Sequence, residues 1–432
     1  MKKEKTEYDI KNQKMKKYIQ SFFYLFLLLG WGSLLTTSCE KDEPGKYRMT
    51  DGLPSLEYVR YQDSEAAEQL LEGAFMGENI ILIGDNLTSI QEVYFNNVKA
   101  LLNINMITKN TLFVTIPQTL PTERTDKIYL VTGKQDTVAY DFEVKIPAPI
   151  LSRIKCEQVP EGDEVVLYGD YFLATEPELI SIFVDEYEIP TADIVSIDKN
   201  ELVFKSPAME VKGPIEVKTL YGSSGRSKDI FHDDRGLITG FEEGFVGGWG
   251  RPDDSQIEND PDLAITGRYV RIEGKTVGVG GAWEGGNIII NIWGEDNGVP
   301  SGNLFPGDPA TSTLKFEVNV LESWSAGPMI FSFFEQGQFE DYLWADGSPD
   351  GGGMPRGAWV PWLDSGSYNT DGWVTVSIPL SEFKYNGYGT EIPLSEYYGA
   401  LGIAIHNRGN DDWIGTAECT PVILLDNIRV IP

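Results

Sequence analysis

The stretch ENIILIGDNL, Glu78 to Leu87, returns at an offset of 85 residues as DEVVLYGDYF, Asp163 to Phe172. Further on, TKNTLFVTIP (Thr108 to Pro117) returns as DKNELVFKSP (Asp198 to Pro207), now at an offset of 90. Self-similarity at a near-fixed spacing marks repeated modules, and a proline stands at the start of each copy, Pro54 and Pro149. Within a copy the apolar runs are short, rich in β-branched residues and bounded by Gly, Asn, Asp or Pro, as strands are. The Gly-Asp pairs at Gly84 and Gly169 suit turns that need a positive φ. Helical periodicity is convincing only near SEAAEQLLEG, Ser64 to Gly73. Some 85–95 residues of short strands is about the size of an immunoglobulin-like sandwich.

The last two hundred residues differ in kind. They carry the strand signals YVRIEG, NIIINIW, TLKFEVNVL, PMIFSFF, GWVTVSI, ALGIAI and VILLDNIRVI, separated by GEDNG, DGSPDGGG and NTDG. Many short strands without helices between them favour a sandwich or jelly roll. Ile288, Ile290 and Ile292 share one face, and Ile289, Asn291 and Trp293 share the other. In TLKFEVNVL, Leu314, Phe316, Val318 and Val320 are expected to face the core, with Lys315, Glu317 and Asn319 towards solvent. The fold class read from the sequence is all-β: two tandem immunoglobulin-like sandwiches, residues 53–147 and 148–232, then a larger β-sandwich or jelly roll, 233–432.

Nine of the ten tryptophans lie between Trp249 and Trp413. Trp373, framing a strand start, reads as core. Trp283, Trp324, Trp344, Trp359 and Trp362 sit beside Gly, Pro and charged turn residues, which suggests edges and loops. Exposed rings in number form an apolar patch that monomers keep only for a reason. A pyranose offers flat C–H faces ringed by hydroxyls, so an aromatic plane and nearby hydrogen-bonding side chains suit it. Glu284, Asn287, Glu335, Gln336, Gln338, Asp341, Arg356 and Asp364 lie near those rings in sequence. The competing reading is that the rings fill a wide core.

The chain carries 35 Lys and Arg against 66 Asp and Glu, a net charge of −31. Nucleic acid and anionic lipid are poor partners for such a surface, and neutral ligands are natural ones. With two histidines, His232 and His406, a His-rich metal site or a Ser-His-Asp machine has almost nothing to be built from. Cys156 and Cys419 read as buried thiols. A glycosidase needs two carboxylates about 5–9.5 Å apart. Acids abound, but the ExDxxE signature of jelly-roll glucanases is missing, as is the βα alternation of a barrel hydrolase. Binding without cleavage is the favoured reading; a hydrolase and a protein-binding adhesin are the alternatives.

Residues 1–38 have the layout of a secretory signal: Lys14, Lys16 and Lys17, then the uncharged run Ile19 to Leu35, then Thr36, Thr37 and Ser38. The segment LTTSCEKDEP resembles the cut site of a bacterial lipoprotein, in which Cys39 becomes the lipidated N-terminus, although Thr36 stands where Leu is usual. EKDE is similar to the acidic surface-export tag of Bacteroidetes lipoproteins, and residues 39–52 read as an acidic tether. The pattern of the two repeats resembles IPT/TIG modules, which implies spacers. CEKDE, both copies, GLITGFEEG, GRYVRIEG, GWVTVSIPLSEF and LLDNIRVIP together resemble the surface glycan-binding proteins B of Bacteroidetes polysaccharide-utilization systems. That resemblance implies an outer-membrane, surface-exposed lipoprotein that captures a plant cell-wall polysaccharide: a β-glucan or hemicellulose of the xyloglucan, mixed-linkage β-glucan or mannan class. It implies a glycan transporter complex as partner, and a platform of Trp283 with one or more of Trp293, Trp324, Trp359 and Trp362, supported by Glu284 and Asn287. No cofactor is required. GFEEG and LLDN resemble the paired ends of carbohydrate-binding jelly rolls, where Glu242 and Asp426 would hold a structural calcium; the plainer reading is turn residues capping two neighbouring strands.

Overall fold

The computed structural model describes residues 52–66, 68–174, 179–242, 256–275, 288–293, 304, 307–334, 356–384, 391, 399–405 and 418–432. The described elements are β-strands and short 3-10 turns. Contacts divide the chain into two compact units, Met1–Lys145 and Ile146–Pro432.

The first unit holds a two-sheet sandwich. One sheet runs in the order Ser55–Tyr61, Asn79–Asp85, Thr111–Thr115, and the other Val98–Lys99, Ile90–Phe95, Lys127–Thr132, Thr137–Asp141. Val59, Leu82, Val93, Leu112, Ile128 and Leu130 are fully buried. The second unit begins with the same plan: Ile150–Ile154, Glu164–Asp170, Glu201–Lys205, Ile194–Ile197 in one sheet, and Tyr187–Glu188, Ile180–Val184, Gly213–Thr219, Gly222–Phe231 in the other. The sequence repeat is therefore a repeat of topology.

The repeated glycines do not do what their sequence neighbours suggest. Gly84 and Gly169 lie inside strands, opposite Leu56 and Leu151, where each first strand bulges. A Cβ on either would stand 1.9 Å from the carbonyl oxygen of Ser55 or Ile150. Glycine is needed there for close backbone approach, not for a turn. The positive φ falls two residues later, at Asn86 (61°) and Tyr171 (59°). The recurring Lys-Asn dipeptide completes the motif. Asn110 and Asn200 donate their side-chain amides to the carbonyls of Gly84 (2.9 Å) and Gly169 (3.1 Å). The N–H groups of Leu87 and Phe172 donate to the carbonyls of Lys109 and Lys199.

The helix expected over Ser64 to Gly73 is absent among its described residues. Leu71 instead donates its N–H to Val59, Leu70 bridges Arg60, and Gly73 opens a short strand parallel to Glu143–Lys145. Ten residues are below the length at which a helix holds in isolation, so the neighbouring strands decide.

The C-terminal domain packs two antiparallel sheets. The first runs Ile257–Glu258, Tyr269–Glu273, Val422–Ile431, Thr313–Glu322, Val374–Pro379, with Leu237–Thr239 also on Val422–Ile431. The second runs Ile288–Trp293, Ala400–Ile405, Met329–Phe334, Arg356–Trp359. Leu314, Phe316, Val318 and Val320 meet Met329, Phe331, Phe333, Leu401, Ile403 and Ile405 in one core.

The opposite side of Thr313–Glu322 is not wet, as its alternation suggests. Lys315, Glu317 and Asn319 are all buried, because the preceding immunoglobulin-like domain covers that face. Lys315 Nζ donates to Glu157 and, at 2.8 Å, to Asp229. Arg429, 0% exposed, donates to both oxygens of Glu317 (2.6 and 3.0 Å) and to Glu157 at 2.8 Å. Thr375 ties the same seam: its N–H reaches the Lys155 carbonyl at 3.0 Å, and its hydroxyl accepts the Glu157 N–H and donates to Glu317. Burial opposes the Arg429 charge, but Glu317 and Glu157 more than offset it and raise its pKa. Alternation cannot distinguish water from another domain's carboxylates as the environment of a charged face.

Candidate functional site

Strand pairing sorts the candidate tryptophans by face. Trp359 pairs with Met329, a core residue, and so shares the core face. It is half-buried, edge-on to Trp324 (5.4 Å), Phe316 (5.5 Å) and Tyr368 (5.6 Å). Trp324 is 0% exposed, and its ring N–H donates to the carbonyls of Ala326 and Gly327, 2.9 Å each. Trp362 is 4% exposed. Trp324 and Trp362 are therefore core, and neither offers a face to a ligand. Their Gly- and Ser-rich neighbours made them read as edge residues. Those neighbours belong to turns that fold back over the sandwich, carrying the rings inward.

Trp293 falls on the other parity. Ile288, Ile290 and Ile292 pair with the core residues Ile405, Ile403 and Leu401, whereas Asn291 and Trp293 pair with Gly402 and Ala400. Ile330 and Ser332 continue that second row, paired with Ala404 and Gly402. Ile330 and Ser332 are buried at its centre, and Ser332 Oγ has no hydrogen-bond partner among the described residues. Trp293 ends the strand Ile288–Trp293, the outermost of the described strands on that side of the sheet. Trp283, Glu284 and Asn287, which lead into that strand in sequence, lie outside the described residues. Cys39 and His406 do too.

Trp373 is neither core filler nor platform. Half-buried, it packs against the core of the second immunoglobulin-like domain, its ring N–H donating to the Leu263 carbonyl at 2.7 Å. Sequence reasoning missed this seam, although a Trp-Val-Thr strand start beside a charged alternate face was a usable signal.

The shifted titratable groups of the seam between the second immunoglobulin-like domain and the C-terminal sandwich sit in structural contacts. Burial pushes Glu157 up against the pull of Arg429 and Lys315, and the residue is sealed in the domain seam. Burial also lifts the Cys156 thiol, which donates to the Gln158 carbonyl. His232 is buried between the carbonyls of Val211 and Val159, 2.9 Å from each.

Glu242 and Asp426 do come together, both within 4.0 Å of where a Cβ on Gly240 would stand. Glu242 accepts the Arg268 N–H at 3.2 Å. Asp426 accepts the Asn427 N–H through Oδ1, while its buried Oδ2 has no partner among the described residues. Calcium takes about six to eight oxygens. Among the described residues no three or more His, Cys, Asp or Glu form a group that could hold a metal. Burial lifts the Asp426 carboxyl well above its ordinary range.

Comparison with known proteins gives this geometry a context. Residues 231–432 match the family described as the surface glycan-binding protein B xyloglucan binding domain. The crystal structure of the surface glycan-binding protein PbSGBP-B from Prevotella bryantii is similar at a TM-score of 0.59 and 28% identity, covering 88% of this chain and 99% of that one. An SGBP-B from a complex xyloglucan utilization locus in Bacteroides uniformis aligns at a TM-score of 0.46 and 17% identity, over 88% of this chain and 99% of that one. An IPT/TIG domain-containing protein of Bacteroides ovatus is 26% identical over 171 residues, 38% of this chain and 34% of that relative's length. Residues 231–432 therefore belong to the surface glycan-binding protein B xyloglucan binding domain family, and the chain is similar to the Prevotella protein over nearly all of that structure.

Proposed function

We propose that this chain is a cell-surface lipoprotein of a polysaccharide-utilization system that captures a plant β-glycan without cleaving it, with xyloglucan the leading ligand. The observation that carries the proposal is the match of residues 231–432 to a xyloglucan binding domain. The parity of the second sheet supports it. With Trp324 and Trp362 buried and Trp359 on the core face, the platform narrows to Trp293 and, beside it in sequence, Trp283. The stacking plane belongs at that edge, with Glu284 and Asn287 as hydrogen-bonding partners. Anchoring by acylated Cys39 at the outer membrane, with a glycan transporter as neighbour, completes the reading; two or more acyl chains give a stable anchor.

Affinity-gel retardation tests it. The mature chain is expected to be retarded by xyloglucan, Trp293→Ala and Trp283→Ala to lose most of the retardation, and Trp324→Ala to lose about 3–5 kcal/mol of stability first and foremost. Full retardation of the Trp293→Ala, Trp283→Ala double variant would move the site elsewhere. Release of reducing sugar from the same polysaccharide would favour the hydrolase alternative.

A further inference from the structure

Within the second unit, a cavity of about 280 Å³ opens where the immunoglobulin-like domain meets the C-terminal sandwich. Gln158 and Asp163 line it from one side, and Pro261, Asp262, Asn319 and Trp373 from the other. We propose that this cleft is a second saccharide site, taking one hydroxyl-rich sugar unit, and that it is incomplete without the immunoglobulin-like domain. The proposal rests on the glycan-capture reading only for its ligand class.

Size is the first argument. Small-molecule pockets run from about 300 to 1,000 Å³ and favour domain interfaces. At 280 Å³ the cleft suits a ring-sized ligand, not a polymer segment. Rigidity is the second. The Trp373 ring is fixed by its hydrogen bond to Leu263 and by the edge contact with Tyr269 at 6.1 Å. The two sides are tied by the bonds between Thr375, Lys155 and Glu157, with the Lys315–Glu157–Arg429 ion network in the same seam. Walls already fixed lose little entropy when a ligand enters.

Chemistry is the third. Glu164 is paired with Lys205 and Asp371 lies 4.0 Å from Lys155, whereas the carboxylates of Asp163 and Asp262 are exposed and have no partner among the described residues. Four carboxylates around one lysine disfavour an anion. Two uncommitted acceptors beside an indole match the alternating hydroxyls and C–H surface of a sugar ring.

The test is a titration of the ¹⁵N-tryptophan-labelled mature chain, with the Trp373 indole resonance assigned through Trp373→Phe. The probes are xylose, galactose and glucose, with spermidine as a cationic control. A saturable shift of that resonance is expected with at least one sugar. It should survive Trp293→Ala and weaken about tenfold or more in Asp163→Ala, Asp262→Ala, as loss of two charged hydrogen bonds requires. Those exposed positions leave the rest of the spectrum unchanged. No shift with any sugar up to about 100 mM, or a shift with spermidine alone, overturns the proposal. If xyloglucan fails to retard the chain while the sugar response persists, the capture reading falls and the cleft stands.

Discussion

Asp426 concentrates the residue-scale question of charge in a buried site. Burial drives its carboxyl well above the ordinary range; the Asn427 N–H works against that, and Glu317 and Glu242 add to the rise. A folded-state pKa above the unfolded one means that the contribution to stability is full below the unfolded pKa and is lost as pH rises through the folded pKa. Asp426→Asn is therefore expected to raise Tm at about pH 7 relative to the native chain, with the advantage fading towards about pH 4. Thermal melts at the two pH values check this. A fall in Tm of the native chain on chelation would put a cation on Asp426 instead.

The bulge shared by the two immunoglobulin-like copies is the element-scale device. Its first strand slips register opposite Gly84 or Gly169, and an asparagine amide seals the glycine carbonyl from the neighbouring strand. A methyl group at Gly169 would meet the Ile150 carbonyl at 1.9 Å and the Phe172 ring at 2.5 Å. Gly169→Ala is accordingly expected to destabilise the second unit by about 2–4 kcal/mol, read by denaturant unfolding. Asn200→Ala, which leaves that carbonyl half-satisfied, should cost about 1 kcal/mol. A Gly169→Ala chain as stable as the native one would mean that the bulge relaxes freely.

Across the whole molecule, the seam between the second immunoglobulin-like domain and the C-terminal sandwich makes a spacer into part of the binding domain's structure. Glu157 bridges two buried cations, Lys315 and Arg429, whose further carboxylate partners are Asp229 and Glu317 respectively. Removing one partner of a buried network costs about 3–5 kcal/mol, because an uncompensated charge remains. Glu157→Ala is expected to lower the stability of the chain by that amount. Residues 146–432 should likewise melt cooperatively and at higher temperature than 233–432 alone. Equal melting temperatures for the two fragments would show the seam to be an incidental contact. The same seam bears on any binding assay, since a C-terminal fragment without residues 146–232 also lacks one wall of the cleft.

Local pattern was enough for the all-β class, the tandem repeat and the core parity of NIIINIW and TLKFEVNVL, because alternation and turn residues act over a few positions. It also separated the tryptophan-rich domain from the modules before it. Tertiary structure alone decided which rings are buried: Trp324 and Trp362 have turn-like neighbours, yet both are buried in the core. It also decided that Lys315 and Arg429 meet a carboxylate of the neighbouring domain, and that Glu317 is sealed against Arg429, instead of facing water. Burial is set by what lies across a face, and that is supplied by residues a hundred or more positions away, beyond the reach of any local periodicity.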